Sequence, residues 1–334
     1  MLIFVTPKLG VDKRGNRELL PYSYRSRAAI PSANIKVSTV TTDIKDATKK
    51  DVVVLGKKHT LEDAEYLKSK NIKFIIDIAD DKFKLFKHWY QTIPMANAVV
   101  TTCEYLRDII LEETGCKSTV IPDPTERPRM PPKFEKKERL NILFYGSSGN
   151  FAKIDWYSVM ETLNGIYPND LKILTNKPEH PPKGWKGLKT NVYHLSEEQI
   201  SKQVSTANYI YQNLTYDWTF ELQEVLVNQA DIILLPTHWD RESMCKGNNR
   251  PIDAIQMGKF VLTNPGIPSY EKIREHMWCG YIGEGFKWIT NPNNTKAILS
   301  KIKNGQTMID EFYTPKAVGR QWENVYNIVK KDEE

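Results

Sequence analysis

Cysteines are few in this chain, and long apolar runs are absent. Four cysteines occur among 334 residues, none in a CxxC pair or at a zinc-like spacing from histidine, which argues against a disulfide scaffold or a zinc module. No apolar run approaches the ~18 residues of a membrane span, so any membrane contact would be peripheral. The first residues, MLIFVTPKLG, are apolar for only a few positions and predict a strand rather than a signal peptide. We therefore expect a cytoplasmic protein with reduced thiols.

The two common glycine-rich phosphate motifs are also missing. The stretch FYGSSGNFAK lacks the final GK[ST] of a Walker loop and does not read GxGxxG, which disfavours a Rossmann dehydrogenase. It still places Gly146, Ser147 and Ser148 between a predicted strand and a predicted helix, where small residues let the backbone approach a phosphate closely. Lys153 follows and could assist there. A tight turn without a ligand would give the same pattern.

Strand and helix patterns alternate along the chain, which predicts an α/β fold with parallel sheets covered by helices on both faces. The proline- and charge-rich stretch at 122–140 is typical of an interdomain linker. We predict one domain at 1–135, a second at 136–312 and a final amphipathic helix within 313–334. The helix in EYLRDIILEETG should end at Gly115. The predicted strands cover residues 2–6, 35–40, 51–56, 72–78, 98–102, 118–122, 141–147, 171–176, 207–212, 230–236 and 259–264.

A cationic loop leads into a short helix in KGNNRPIDAIQMGKFVLTN, residues 246–264. Asn248 or Asn249 can cap this helix. Lys246 and Arg250 add positive charge where the helix dipole is already positive, and that arrangement suits a diphosphate. Asp253, one turn further on, could accept hydrogen bonds from two ribose hydroxyls. A capped surface helix is the alternative, although a cap alone does not need two cations.

Another polar loop follows the apolar strand ADIILLP. In the stretch LLPTHWDRE, the residues directly after the strand include His238, Asp240, Arg241 and Glu242. Loops at strand ends carry function more often than other loops. His238 is therefore a candidate for donor binding and Glu242 for catalysis. An ordinary polar loop is the alternative.

The order of these features resembles the donor half of GT-B glycosyltransferases, especially the retaining glycogen-synthase-like group (glycosyltransferase family 4). In that family a strand, an acid-containing loop and a donor-binding helix follow one another in the same order. Asp253 falls at the second glutamate of the family's E-x7-E motif, which binds the ribose. Cys245 occupies the position of the first glutamate, so Glu242 or Asp240 would replace that acid from a longer loop. The stretch ANAVVTTCEYLRDIILEETGCKSTVIPDPTE resembles the end of the family's N-terminal domain.

The resemblance implies two Rossmann-like parallel-sheet domains facing a central cleft, with the C-terminal helix crossing back to the first domain. It also implies transfer of a hexosyl or pentosyl group from a nucleotide-sugar co-substrate, UDP- or GDP-linked, to an acceptor hydroxyl. Cationic side chains and helix N-termini would stabilise the leaving diphosphate without a metal or a tightly bound cofactor. Retention of anomeric configuration is expected from the same resemblance.

Acceptor-side residues are expected in the first domain. FIIDIADD ends a strand with Asp80 and Asp81, where the resembled family has a catalytic or acceptor-orienting residue, so either could position or deprotonate the acceptor. An acidic helix N-cap is the alternative. Arg25 and Arg27 in RELLPYSYRSRAAIP could contact a lipid phosphate, an acidic glycan or DNA, with a solvated helix face as the alternative.

Other functions stay open at this level. The acidic run DIADD also raises the alternative of a metal-dependent GT-A glycosyltransferase, since those enzymes use a D-x-D after a strand and would be inactivated by a chelator. Some glycosyltransferases of the GT-B fold modify bases in DNA, which requires access to the base. A non-catalytic two-lobed protein that binds a nucleotide or a sugar would have the same layout.

Overall fold

The computed structural model describes residues 1–7, 24–175 and 215–331. The chain divides into two compact units, each built around its own parallel sheet. The first unit contains Met1–Glu126, Met244–Asn249 and Met308–Glu334, and the second contains Arg127–Ser243 and Arg250–Thr307. The strands are β1 Leu2–Val5, β2 Ser38–Thr41, β3 Val52–Leu55, β4 Lys73–Ile78, β5 Ala98–Thr101, β6 Thr119–Val120, β7 Leu140–Tyr145, β8 Asn169–Thr175, β9 Thr215–Asp217, β10 Ile232–Leu234, β11 Phe260–Thr263 and β12 Trp278–Cys279.

Helices follow most of these strands. In the described residues they are α1 Ile30–Ala33, which continues a π-helical turn at Arg25–Ala29, α2 Leu61–Ser69, α3 Trp89–Thr92, α4 Glu104–Thr114, α5 Ser148–Ala152, α6 Trp156–Asn164, α7 Phe220–Gln229, α8 Arg241–Met244, α9 Asn249–Gln256, α10 Pro268–Glu271, α11 Ile282–Thr290, α12 Thr295–Phe312 and α13 Pro315–Lys331. Gly115 ends α4 in the left-handed conformation with φ of 71°, as predicted.

The first sheet has the order β2-β1-β3-β4-β5-β6, and every neighbouring pair is parallel. Successive strand residues point to opposite faces, and both faces are buried, which is why the strands are rich in Val and Ile. One face packs against α2, α3 and α4. The other packs against α13, where the Trp322 ring meets Phe4 edge-on with centroids 5.3 Å apart.

The second sheet has the order β12-β11-β10-β7-β8-β9, again with parallel pairs. Counted from β7 as the first strand and read from the β9 edge, this is the 3-2-1-4-5-6 order of a Rossmann sheet. Its core contains the packed aromatic rings of Phe144, Phe151 and Trp156, with Phe144 meeting Trp156 edge-on. The prediction of two Rossmann-like parallel sheets is therefore confirmed.

The predicted strands that fall on described residues are present, with ends shifted by a few residues. The predicted strand at 207–212 lies outside the described residues. Strands β9 and β12 were not predicted, because TYD and WC lie outside the Val- and Ile-rich runs that indicated the other strands.

Candidate functional site

Chain connections diverge in the middle of the second sheet. Strand β7 leads in sequence to β8 on one side, whereas its other neighbour, β10, leads to β11 on the opposite side. In parallel sheets such a switch point leaves a crevice at the carboxyl ends of the two central strands, and ligands bind there. Those ends are Tyr145, followed by Gly146, and Leu234, followed by the loop 235–240.

The guanidinium of Arg250 lies over the turn that follows β7. Its Nη1 donates to the carbonyl of Tyr145 at 3.4 Å, and its Nη2 donates to the hydroxyl of Tyr270 at 3.3 Å. A Cβ on Gly146 would come within 2.9 Å of Nη1, so the bare glycine gives the guanidinium its room. Among the described residues no carboxylate forms an ion pair with Arg250, whose side chain is partly exposed. The switch point thus presents a cation that an anion can pair with.

Asp253 lies one helical turn after Arg250, on the buried part of α9. The Tyr145 hydroxyl donates to the Arg250 carbonyl at 2.7 Å and ties the start of α9 to the end of β7. Burial raises the pKa of Tyr145 well above its ordinary value, and the negative charge of Asp253 raises it further, against the effect of Arg250. Tyr145 is therefore a neutral hydrogen-bond donor, and both charged residues of α9 lie close to it.

Lys153 forms ion pairs with Asp240, in the loop that follows β10, and with Glu242, in the first turn of α8. Its Nζ lies 2.7 Å from Asp240 Oδ2 and 3.2 Å from Glu242 Oε2, and His238 Nδ1 lies 3.4 Å from the same Asp240 oxygen. Burial lowers the pKa of Lys153, but the two acids raise it by more. For Asp240, burial raises the pKa, but the hydrogen bonds from Lys153 and Ser243 lower it by more. The pKa of Asp240 therefore lies well below its ordinary value. The structure thus joins three predicted site residues, Lys153, His238 and Glu242, in one charged network.

The glycine turn leads directly into a short helix. Ser147 caps α5, because its hydroxyl accepts a hydrogen bond from the amide of Asn150. Ser148 is the first residue of that helix. Ser147 thus has a local capping task beside its predicted contact with a phosphate, which stays a prediction.

Lys246, Asn248 and Asn249 belong to the first unit, although they directly precede Arg250 in sequence. The segment is anchored there: the Cys103 thiol donates to the Cys245 carbonyl at 3.2 Å. Asn248 is buried and donates from Nδ2 to the Tyr313 hydroxyl at 2.9 Å. The predicted donor residues are therefore divided between the two units, and the role of these three stays a prediction.

The first sheet also has a switch point, between β1 and β3, because β1 leads to β2 and β3 leads to β4. A cavity there is lined by Tyr24, Arg27, Gly56, Lys57 and Asp77, among others. Arg27 is buried, and its guanidinium donates to both carboxylate oxygens of Asp77, at 3.0 Å and 2.6 Å. The predicted acceptor residue Arg27 is thus held in a buried ion pair, and its contact with an acceptor stays a prediction.

Further carboxylates surround this arginine. Asp123 lies 3.5 Å from Arg27 Nη1. Burial raises the pKa of Asp123 to about 6, against the lowering effect of Arg27. Arg25, the other predicted acceptor residue, pairs with Glu126 at 2.6 Å. The arginines and acids at this edge therefore neutralise one another within the unit.

Asp80 and Asp81 follow β4 at the same edge. Asp80 forms an ion pair with Lys57 Nζ at 2.5 Å, and both side chains are partly exposed. Asp81 Oδ1 accepts from the amide of Phe83 at 3.4 Å, and a turn, not a helix, follows it. The structure brings both acids to the carboxyl edge of the first sheet, and their catalytic role stays a prediction.

Two tyrosines that hold Arg250 were not among the predicted site residues. Tyr145 is the last residue of β7, and Tyr270 lies in α10, after β11. A weak signal existed for both, since Tyr145 ends an apolar strand and Tyr270 comes after one, at the edge where ligands bind. Their contacts with Arg250 join residues that are 105 and 20 positions apart.

Two negative findings concern the described residues only. Across residues 1–7, 24–175 and 215–331, no helix is long and apolar enough to pass through a membrane. The same residues contain no group of three or more His, Cys, Asp or Glu side chains placed to hold a metal ion.

Solved structures share this fold at low sequence identity. The fold is that of GT-B glycosyltransferases, with two Rossmann-like sheets. Trehalose-6-phosphate synthase OtsA matches with a TM-score of 0.61 and 9% identity, over 98% of this chain and 91% of its own. An α,α-trehalose-phosphate synthase (UDP-forming) from Burkholderia xenovorans, in complex with glucose-6-phosphate, matches with a TM-score of 0.56 and 8% identity, over 96% and 90%.

TarM matches over a smaller share of its own length. Its TM-score is 0.58 at 11% identity, and the match covers 84% of this chain but 55% of TarM, so this chain spans little more than half of that protein. No protein-family model and no curated protein sequence matches the chain. At these identities the likeness concerns the fold, and function has to be argued from the site.

Proposed function

We propose that this protein is a glycosyltransferase that moves a hexosyl or pentosyl group from a nucleotide sugar to an acceptor hydroxyl. One observation carries the proposal: Arg250, a cation without a carboxylate partner among the described residues, lies over Gly146 at the switch point of a Rossmann sheet. That position combines a side-chain cation, the first turn of α9 and a backbone without Cβ, which together suit a diphosphate.

Each part of the site then has a task in transfer. Arg250 and the start of α9 stabilise the charge that develops on the departing diphosphate. Asp253 accepts hydrogen bonds from the ribose hydroxyls, and the network of Lys153, His238 and Glu242 faces the sugar. Lys246, Asn248 and Asn249 complete the donor set. The donor domain in this proposal is residues 136–312, and no metal is required.

The donor is a UDP-sugar in this proposal, with a GDP-sugar as the alternative. Support comes from the fold shared with a synthase described as UDP-forming. Asp80 or Asp81 orients or deprotonates the acceptor hydroxyl, and Arg25 and Arg27 contribute to the acceptor side within residues 1–135. The acceptor class is a glycan, a lipid-linked saccharide or a nucleic acid. Four free cysteines support a cytoplasmic location.

Calorimetry with UDP, GDP, ADP and CMP, each with and without EDTA, tests the proposal. We expect saturable binding of one diphosphate that survives EDTA. Binding that disappears in EDTA would favour the metal-dependent alternative. The absence of binding to all four nucleotides would contradict the donor site.

The variant Arg250→Ala locates the site. We expect its diphosphate affinity to fall at least about tenfold, because hydrogen bonds to charged groups contribute roughly 1.5–3 kcal/mol. The matched control is Arg274→Ala, which removes an exposed arginine of the same unit that pairs with Glu271 at 2.9 Å. Equal affinities of both variants and the wild-type protein would remove Arg250 from the site.

A further inference from the structure

Trp239 is an exposed indole in the loop that follows β10. Its exposed fraction is 61%, and the other tryptophans in the described part of the chain are buried or partly buried. An exposed indole offers a flat face on which a ligand ring can stack. This one lies beside the candidate site, because the next residue, Asp240, pairs with Lys153 in the charged network of the second unit.

The indole is held rigidly, although its ring is exposed. Its Nε1 donates to the Pro265 carbonyl at 2.6 Å. Gly266 adopts a φ of 95°, and a Cβ there would come within 2.8 Å of the indole nitrogen. A side chain at 266 would therefore be strained and would also displace the ring.

The two loops that support the ring are also bound to each other. The Thr237 amide and hydroxyl donate to Asn264 Oδ1 at 2.6 Å and 3.1 Å, and Asn264 Nδ2 donates back to the Thr237 carbonyl at 2.9 Å. These loops follow β10 and β11, which are neighbours in the sheet. The ring is therefore fixed before any ligand arrives, which reduces the entropy lost on binding.

We propose that Trp239 is a stacking platform for a ring of the nucleotide sugar. This inference rests on the proposed function. The flat indole face offers the same chemistry to a nucleobase and to the C–H face of a pyranose. Strands lie about 4.8 Å apart, so the loop over β10 and β11 is one to two strand spacings from the turn after β7. That distance separates the diphosphate of a nucleotide sugar from the rings at its two ends.

Two variants separate stacking from a purely structural role. Trp239→Phe keeps a flat ring but loses the N–H that binds Pro265, whereas Trp239→Ala loses both. Stacking predicts about tenfold weaker binding for Trp239→Ala and a change within about threefold for Trp239→Phe. If Trp239 only ties the two loops together through its hydrogen bond to Pro265, both variants should lose affinity equally, since both lose that bond.

Calorimetry with UDP and with UDP-glucose provides the readout. Loss of UDP affinity in Trp239→Ala would identify the base as the stacked ring, and loss confined to UDP-glucose would identify the sugar. Quenching of tryptophan fluorescence by the bound probe should be smaller in Trp239→Phe than in the wild-type protein. Wild-type affinity in both variants, or equal losses in both, would overturn the platform. A wild-type protein that binds neither probe would instead contradict the proposed function.

Discussion

Both sheets form a switch point at their carboxyl edge, but the two edges are filled differently. At the first, Arg27 and Asp77 form a buried ion pair, and Asp123, Glu126, Arg25, Lys57 and Asp80 continue the pairing around them. At the second, the contacts of Arg250 are an uncharged carbonyl and a hydroxyl. The strand order therefore creates a crevice in each unit. The side chains that line it determine whether its cations pair with acids of the protein or can bind an incoming anion.

The largest expected effect comes from breaking the buried pair of the first edge. Asp77→Asn leaves the Arg27 charge with a weakened partner in a buried position, so the free energy of unfolding should fall by about 3 kcal/mol. The control Asp170→Asn disrupts an exposed pair with Arg139 and should cost less than about 1 kcal/mol. Urea unfolding of both variants measures the difference. Equal costs would mean that the Arg27–Asp77 pair is not a structural element.

The next effect is a pH dependence at the same edge. His59 follows β3, its ring nitrogens contact the Gly56 carbonyl and the Thr92 hydroxyl, and burial lowers its pKa from 6.5 to about 4. Between those values the unfolded chain binds a proton that the folded protein does not, so stability should fall as the pH drops from 6.5 to 4. The loss should reach about 3 kcal/mol.

The variant His59→Gln isolates this contribution. Asp123 acts with the opposite sign, because its raised pKa makes the folded protein bind the extra proton between its ordinary value and about 6. The difference between wild type and variant cancels the Asp123 contribution. Parallel stability curves for the two proteins from pH 4 to 7 would contradict the lowered pKa of His59.

The smallest effect concerns the second edge and sharpens the comparison most. In Gly146→Ala, the new methyl group would push against the guanidinium of Arg250, whose Nη1 would lie 2.9 Å away. We expect diphosphate affinity to fall by about threefold to tenfold, with the free energy of unfolding changed by less than about 1 kcal/mol. The control Gly149→Ala places its Cβ where nothing lies within 4 Å. If both variants bound equally well, the position of Arg250 over the turn would be irrelevant to binding.

Strands and their parallel pairing could be predicted from the sequence, because runs such as VVVL in β3 are buried on both faces. Strand β12 could not, since its residues WC lie outside any Val- and Ile-rich run. The burial of Arg27 was also not predictable, because the acid that pairs with it lies 50 positions away in the sequence. Local patterns report local structure, whereas ion pairing depends on how distant segments meet.

The candidate site was predictable only in parts. The glycine turn and the cationic helix start each had a local signal, but 105 positions separate Tyr145 from Arg250. Their meeting follows from the order of β7 and β10 in the sheet, which no local pattern specifies. The division of Lys246 and Arg250 between the two units was likewise not predictable.

The packing of α13 on the first sheet has a consequence for biosynthesis. Residues 1–126 leave the ribosome well before Val318, Trp322 and Val325, which bury one face of their sheet. At a synthesis rate of about 5–20 residues per second, that face of the sheet stays uncovered for on the order of ten to forty seconds, until α13 has been made. A nascent chain is therefore expected to expose Phe4 and its apolar neighbours during synthesis. A chain ending before Pro315 should bind hydrophobic dyes and require chaperones, although its second unit contains every strand of its own sheet.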